Sequence, residues 1–205
     1  MNMRLKTVLA TLVAGVLISG LVGAAIVYFG AFDVAADVPH SRPMLALMNA
    51  SRSRSIEVRS RGIRVPNLDD PQLVPKGAGQ YAEMCTNCHL APGMENSEIR
   101  PGLYPQPQDL SKVRVGPREA FWIIKHGLKM SAMPAWGSHH NDEDIWSMVA
   151  FVQKLPDMAP EQYREIVAKA LLNNDMNSGA PSKDQPMKGM DMSKPNPHDA
   201  TPHKH

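Results

Sequence analysis

Charge is absent from Val8 to Phe32, 25 consecutive residues reading VLATLVAGVLISGLVGAAIVYFGAF. A run of that length predicts a membrane-spanning helix, because about 20 residues cross the hydrocarbon layer. A cleaved signal sequence is the other reading, with Val34-Ala35-Ala36 as its processing site, but its apolar region would be shorter, roughly 7–15 residues. Downstream, apolar positions recur at helical spacing in four stretches. Ala78, Tyr81, Ala82 and Cys85 predict a helix over 77–87. Ala120, Phe121, Ile124 and Leu128 predict one that Pro117 opens and Gly127 closes. Ile145, Met148, Val149, Val152 and Leu155 predict a third, capped by Asn141 or Asp142 and ended by Pro156. Tyr163, Ile166, Val167, Ala170 and Leu171 predict a short fourth after Pro160. Leu90 to Leu110 carries Pro92, Pro101, Pro105 and Pro107 with little periodicity and reads as a loop.

Polar composition divides the rest. From His40 to Lys76 there are seven basic residues (Arg42, Arg52, Arg54, Arg59, Arg61, Arg64, Lys76) against Glu57, Asp69 and Asp70, with no evident core. This stretch reads as a linker: a solvated spacer, or a basic strip for anionic headgroups or an acidic partner. From Asn173 onward four lysines balance four aspartates without an aromatic residue, so disorder is expected there. The expected organisation is therefore a cytoplasmic N-terminus at 1–7, an anchor at 8–32, a basic linker at 33–76, a helical domain at 77–156, an accessory helix at 157–172 and a flexible tail at 173–205. The fold class is all-α.

Eighteen prolines and fourteen methionines against eleven aromatic residues in 205 argue against one large core, and a net charge of +2 gives no reason to expect nucleic acid. The sign of the flanking charges is more informative. Arg4 and Lys6 precede the apolar run and Asp33 and Asp37 follow it, which places the N-terminus in the cytoplasm and the bulk of the chain outside.

The only two cysteines, Cys85 and Cys88, stand in Met84-Cys85-Thr86-Asn87-Cys88-His89. Cys-x-x-Cys-His is the attachment signature of covalent c-type haem: two thiols reach the two vinyl groups, and the histidine becomes the proximal iron ligand. A redox dithiol needs no trailing histidine, and a structural zinc site would need further ligands. The second axial ligand must come from a distant loop. Met133, 44 residues after His89 and backed by Pro134, is the expected one; Met130 in the same loop is its rival. His126, His139 and His140 offer a bis-histidine alternative. Trp136 is expected to cover a haem edge or to donate its indole N–H to a propionate. In the tail, Met187, Met190 and Met192 with His198, His203 and His205 form a tentative copper-binding set, since thioethers and imidazoles suit copper; a tail without any metal role is the competing reading.

With these residues placed, 77–156 resembles the class I c-type cytochromes, and the whole chain resembles the membrane-anchored, single-haem periplasmic cytochromes of bacteria. The phrases YAEMCTNCH, FWIIKHGLKMSAMPAWG and DIWSMVAFVQKLP carry the resemblance. It implies a small helical domain around one haem c with His89 and Met133 as axial ligands, electron transfer rather than bond chemistry, and transient redox partners. A place as the haem subunit of a larger dehydrogenase or oxidase is equally compatible with it. It also implies crossed first and last helices, with Gly77 or Ala78 and Tyr81 meeting Trp146. The histidine's second nitrogen is then expected to bond a proline carbonyl, that of Pro105 or Pro107.

Overall fold

The computed structural model describes residues 3–177, and among these all regular structure is helical. Helix α1 runs Met3–Tyr28, α2 Arg42–Ser60, α3 Leu73–Met84, α4 Thr86–His89, α5 Pro117–His126, α6 Asp142–Lys154 and α7 Pro160–Asn177. One-turn 3-10 segments lie at Arg100–Gly102, Trp136–Ser138 and Leu155–Asp157.

Helix α1 carries Arg4 and Lys6 in its first turn, is free of charge from Val8 onward, and buries none of its residues against the rest of the chain, as expected of a helix whose solvent is lipid. The domain that follows is built on the crossing of α3 and α6. Gly77 makes that crossing possible. An added Cβ there would stand 2.0 Å from the Ser147 carbonyl oxygen, so only a glycine lets the two backbones approach this closely. Around the crossing, Ala78, Tyr81, Phe151, Val152 and Leu155 are buried, and Tyr163, Ile166 and Val167 of α7 pack over them. A second cluster, Ala120, Phe121, Ile145 and Val149, joins α5 to the other side of α6.

The aromatic partner of Tyr81 is Phe151, at 5.3 Å between ring centroids, and not Trp146. Trp146 stacks on Phe121 at 4.2 Å in the second cluster. Five residues separate the two aromatics, which turns them about 140° apart on a helix and so onto different sides of α6.

Caps follow local chemistry. Asn141 Oδ1 accepts from the Asp144 amide at 2.9 Å and opens α6. Pro117 stands at the start of α5, and Gly127 ends it in the left-handed region at φ +64°. The predicted helix over 77–87 starts earlier, at Leu73, and breaks at Cys85 before resuming as α4. The accessory helix runs past the expected limit at 172 to Asn177.

The basic stretch departs most from expectation, since half of it is α2. Its interior is made of helix formers, and Glu57 is bracketed by Arg54 at 2.8 Å and Arg61 at 2.6 Å. Most of α2 is exposed, in line with its lack of an apolar stripe, but Ser60 is buried against α5 and Ile63 and Leu68 enter the second cluster. The stretch is thus fastened to the domain at its far end.

Candidate functional site

The two cysteines and the histidine are brought together by the break between α3 and α4. The Cys85 amide completes α3 by donating to the Tyr81 carbonyl at 2.9 Å, and the His89 amide donates back to the Cys85 carbonyl at 2.8 Å. The single turn that results holds both thiols, free and half-buried, beside the imidazole. Leu90 then leaves the helical path at φ +60°.

Six contacts fix this turn. The Tyr81 hydroxyl donates to the Leu90 carbonyl at 2.6 Å and lies 3.3 Å from that of His89. Thr86, between the cysteines, donates to the Tyr81 carbonyl at 3.1 Å and shares a 3.0 Å hydrogen bond with the Tyr163 hydroxyl of α7. The Leu110 amide donates to the His89 carbonyl at 3.0 Å. Finally, His89 Nδ1 lies 2.9 Å from the carbonyl oxygen of Gln108. A carbonyl can only accept, so Nδ1 carries the proton and Nε2 keeps its lone pair free for a metal. The acceptor is thus Gln108, neither Pro105 nor Pro107; the Pro107 carbonyl instead takes a hydrogen bond from Arg100 Nη2 at 3.0 Å.

The electrostatics of the turn suit ligation. Burial holds the His89 imidazole below its ordinary pKa, the nearby Arg100 charge acts in the same direction, and the Gln108 bond opposes them. A neutral imidazole is the ligating form. Burial, with Cys88 second, pushes the Cys85 thiol up to about 12. A dithiol oxidoreductase relies on a stabilised thiolate, and this pocket opposes one. Burial likewise raises the Tyr81 phenol, which stays a hydrogen-bond donor.

The residues present fit a covalent haem. Two unpaired thiols flank an imidazole whose free nitrogen is the one a haem iron takes, and Arg100 Nε is buried with no hydrogen-bond partner. A buried cationic donor left unspent is a natural partner for the carboxylates that a haem carries. Arg100, Gln108 and Tyr163 escape sequence reasoning: backbone acceptors have no residue signature, and only burial or proximity marks the other two.

Met133 and Trp136 stand on the connection between α5 and α6. Its first turn is tightly stitched: the Leu128 amide donates to the Met133 carbonyl at 3.1 Å, Ser131 Oγ donates to the Leu128 carbonyl at 2.7 Å, and the Met133 amide donates to Ser131 Oγ at 3.2 Å. Gly127 lies so near this turn that a Cβ on it would meet the Met133 oxygen at 2.7 Å. Within the turn, Met133 is half-buried whereas Met130, at φ +56°, is 84% exposed. Trp136 is half-buried with its ring 5.8 Å from that of His140. His126 and His139 are exposed, and the His126 ring lies 5.1 Å from that of Trp122. Met187, Met190, Met192, His198, His203 and His205 lie outside the described residues.

Residues 72–152 match the family model for cytochrome C oxidase, cbb3-type, subunit III. No curated protein matches the chain.

Proposed function

We propose that this chain, a cytochrome c domain at 72–152 behind a single apolar anchor helix, carries electrons on the extracytoplasmic face of the bacterial inner membrane through one haem with His89 and Met133 as axial ligands. A bound haem c supplies a one-electron iron couple. Cys85 and Cys88 hold it by thioether bonds, and His89 offers Nε2 while Gln108 fixes the ring. Met133 would supply the second ligand, from a loop whose first turn is locked by its own hydrogen bonds. Arg100 offers its buried Nε to a propionate, and Trp136 borders the same connection as Met133. With His89 and Met133 both taken up as ligands, electron transfer is the function these residues support best.

The observation that carries this reading is the imidazole held by Gln108 beside two free thiols. The contrast between Met133 and Met130 supports the choice of distal ligand, since a side chain in open solvent is poorly placed to cross a haem face. The exposure of His126 and His139 speaks against them in the same way, which leaves His140, half-buried beside Trp136, as the histidine rival. The test is the oxidised spectrum of the purified chain. The methionine–iron charge-transfer band should be present in wild type, retained in Met130→Leu and lost in Met133→Leu. A band that survives in Met133→Leu and disappears in Met130→Leu overturns the assignment.

A second reading is favoured by the family match itself, whose name is that of an oxidase subunit. In that reading the domain delivers electrons within a stable membrane complex. Mild detergent extraction followed by affinity purification of the full chain separates the two: a stoichiometric catalytic partner supports the subunit, and a chain that purifies alone supports the free carrier.

A further inference from the structure

Between the anchor and α2 the chain does not behave as a loose tether. Apolar exposure continues well past the end of α1: Phe29 is 78% exposed, Val34 87% and Leu47, on the first half of α2, 66%, with Phe32, Val38 and Met44 also open. An extracytoplasmic domain has no reason to offer such a row to water, whereas the interfacial layer of a bilayer accepts aromatic and aliphatic side chains readily. The row is continuous with the membrane-spanning helix, so one lipid surface covers both.

The same segment turns back onto the loop that orients His89. The His40 amide donates to the Tyr104 hydroxyl at 3.0 Å. The His40 ring meets the Tyr104 ring edge-on at 5.3 Å, and the Phe32 ring lies 6.0 Å from that of His40. Tyr104 stands four residues before Gln108. A second attachment lies at the far end of α2, where Ser60 Oγ reaches Glu119 Oε1 at 3.5 Å and Arg118 donates to the Arg61 carbonyl at 3.4 Å. The domain is therefore held at two separate places on its anchor segment.

We propose that residues 29–47 lie in the bilayer interface and that the Phe32–His40–Tyr104 clasp holds the loop that orients His89 at a fixed attitude to the membrane. The inference rests on α1 being the anchor and on the haem site above. A domain so held presents one side of its haem along the membrane plane, and its partner is met by lateral diffusion rather than by sampling every orientation.

The full haem-loaded chain is reconstituted into stacked, oriented bilayers of phosphatidylethanolamine and phosphatidylglycerol with no other protein, and polarised absorption of the haem is recorded. Wild type should be dichroic. Tyr104→Ala should lose at least half of that dichroism while keeping its methionine–iron band and its resistance to carbonate extraction. Where Tyr104→Ala does not keep the band, His40→Ala makes the same comparison. Isotropic haem in wild type, or undiminished dichroism in the band-retaining clasp variant, overturns the proposal. Extraction of wild type by carbonate would instead refute the anchor. Lipid contact is tested separately with benzoylphenylalanine placed at Leu47 and, as a control, at the solvent-facing Lys112. A phospholipid adduct at 47 alone supports the proposal; no adduct at 47 refutes it, and equal adducts at both sites remove its specificity and refute it too.

Discussion

Gly77→Ala should unfasten the domain at its tightest point. The added methyl would meet the Ser147 carbonyl oxygen at 2.0 Å, its carbon at 2.6 Å and Phe151 Cβ at 2.9 Å. Ordinary contact begins at 3.4 Å, so α3 and α6 must separate by about 1.4 Å where they cross. The obstacle is backbone, which cannot rotate aside as a long side chain can. Overpacking of this kind costs roughly 1–3 kcal/mol, and here the upper part of that range applies. Against it, alanine gains up to about 1 kcal/mol of helix propensity over glycine. The net loss is therefore about 2 kcal/mol. For a domain of this size each kcal/mol moves the midpoint by about 4–8 °C, so the haem-loaded full chain should melt about 10 °C lower. Circular dichroism and haem absorption should report the same shift, since the crossing also positions Tyr81 and Cys85. Gly62→Ala is the control, because nothing lies within 4 Å of a Cβ there. A Gly77→Ala protein that melts with wild type would refute the claim that the crossing depends on backbone contact at this residue.

Tyr81→Phe leaves the buried Leu90 carbonyl without its donor and should cost about 1–2 kcal/mol in urea titrations; an unchanged midpoint would show that the bond contributes nothing. Arg100→Gln removes a positive charge near the imidazole, which favours the oxidised iron, so the midpoint potential in a spectroelectrochemical titration should fall by on the order of tens of millivolts, whereas a rise would contradict the placement. The Lys76 hydrogen bond holds the Asp144 carboxyl below its ordinary value of 3.8. Its folded pKa is depressed, so its contribution to stability is present above that ordinary value and is lost as pH falls through the folded one. Asp144→Asn should accordingly flatten the acid limb of the stability profile below about pH 4, and an identical limb in the variant would rule this pair out as a source.

Much of the fold is readable from the residues because its helices bury clear stripes or, for α1, carry no charge from Val8 onward. Helix α2 is not, since its half-buried positions, Leu45, Met48, Asn49, Ser55 and Ile56, mix apolar with polar residues, and none of its residues joins either core cluster. The aromatic of the helix crossing was misplaced for a related reason. Trp146 and Phe151 are both aromatic on one amphipathic helix, and only the packing of α5 against one side and α3 against the other tells them apart. At the site, the chemistry-bearing side chains announce themselves by type and spacing. What orients them does not: Gln108 acts through its backbone, and Arg100 matters because one of its nitrogens is buried unpartnered.

The hydrogen bond between Thr86 and Tyr163 ties the residue between the two cysteines to a helix 77 positions further along. Chains are made from the N-terminus, so the cysteine turn emerges well before α7 exists to pack against it. During that interval the turn lacks the cover of Tyr163, Ile166 and Val167, which in the finished fold leave both thiols half-buried. The contact that steadies the cysteine turn from outside its own neighbourhood can therefore form only after the last helix described here has been made.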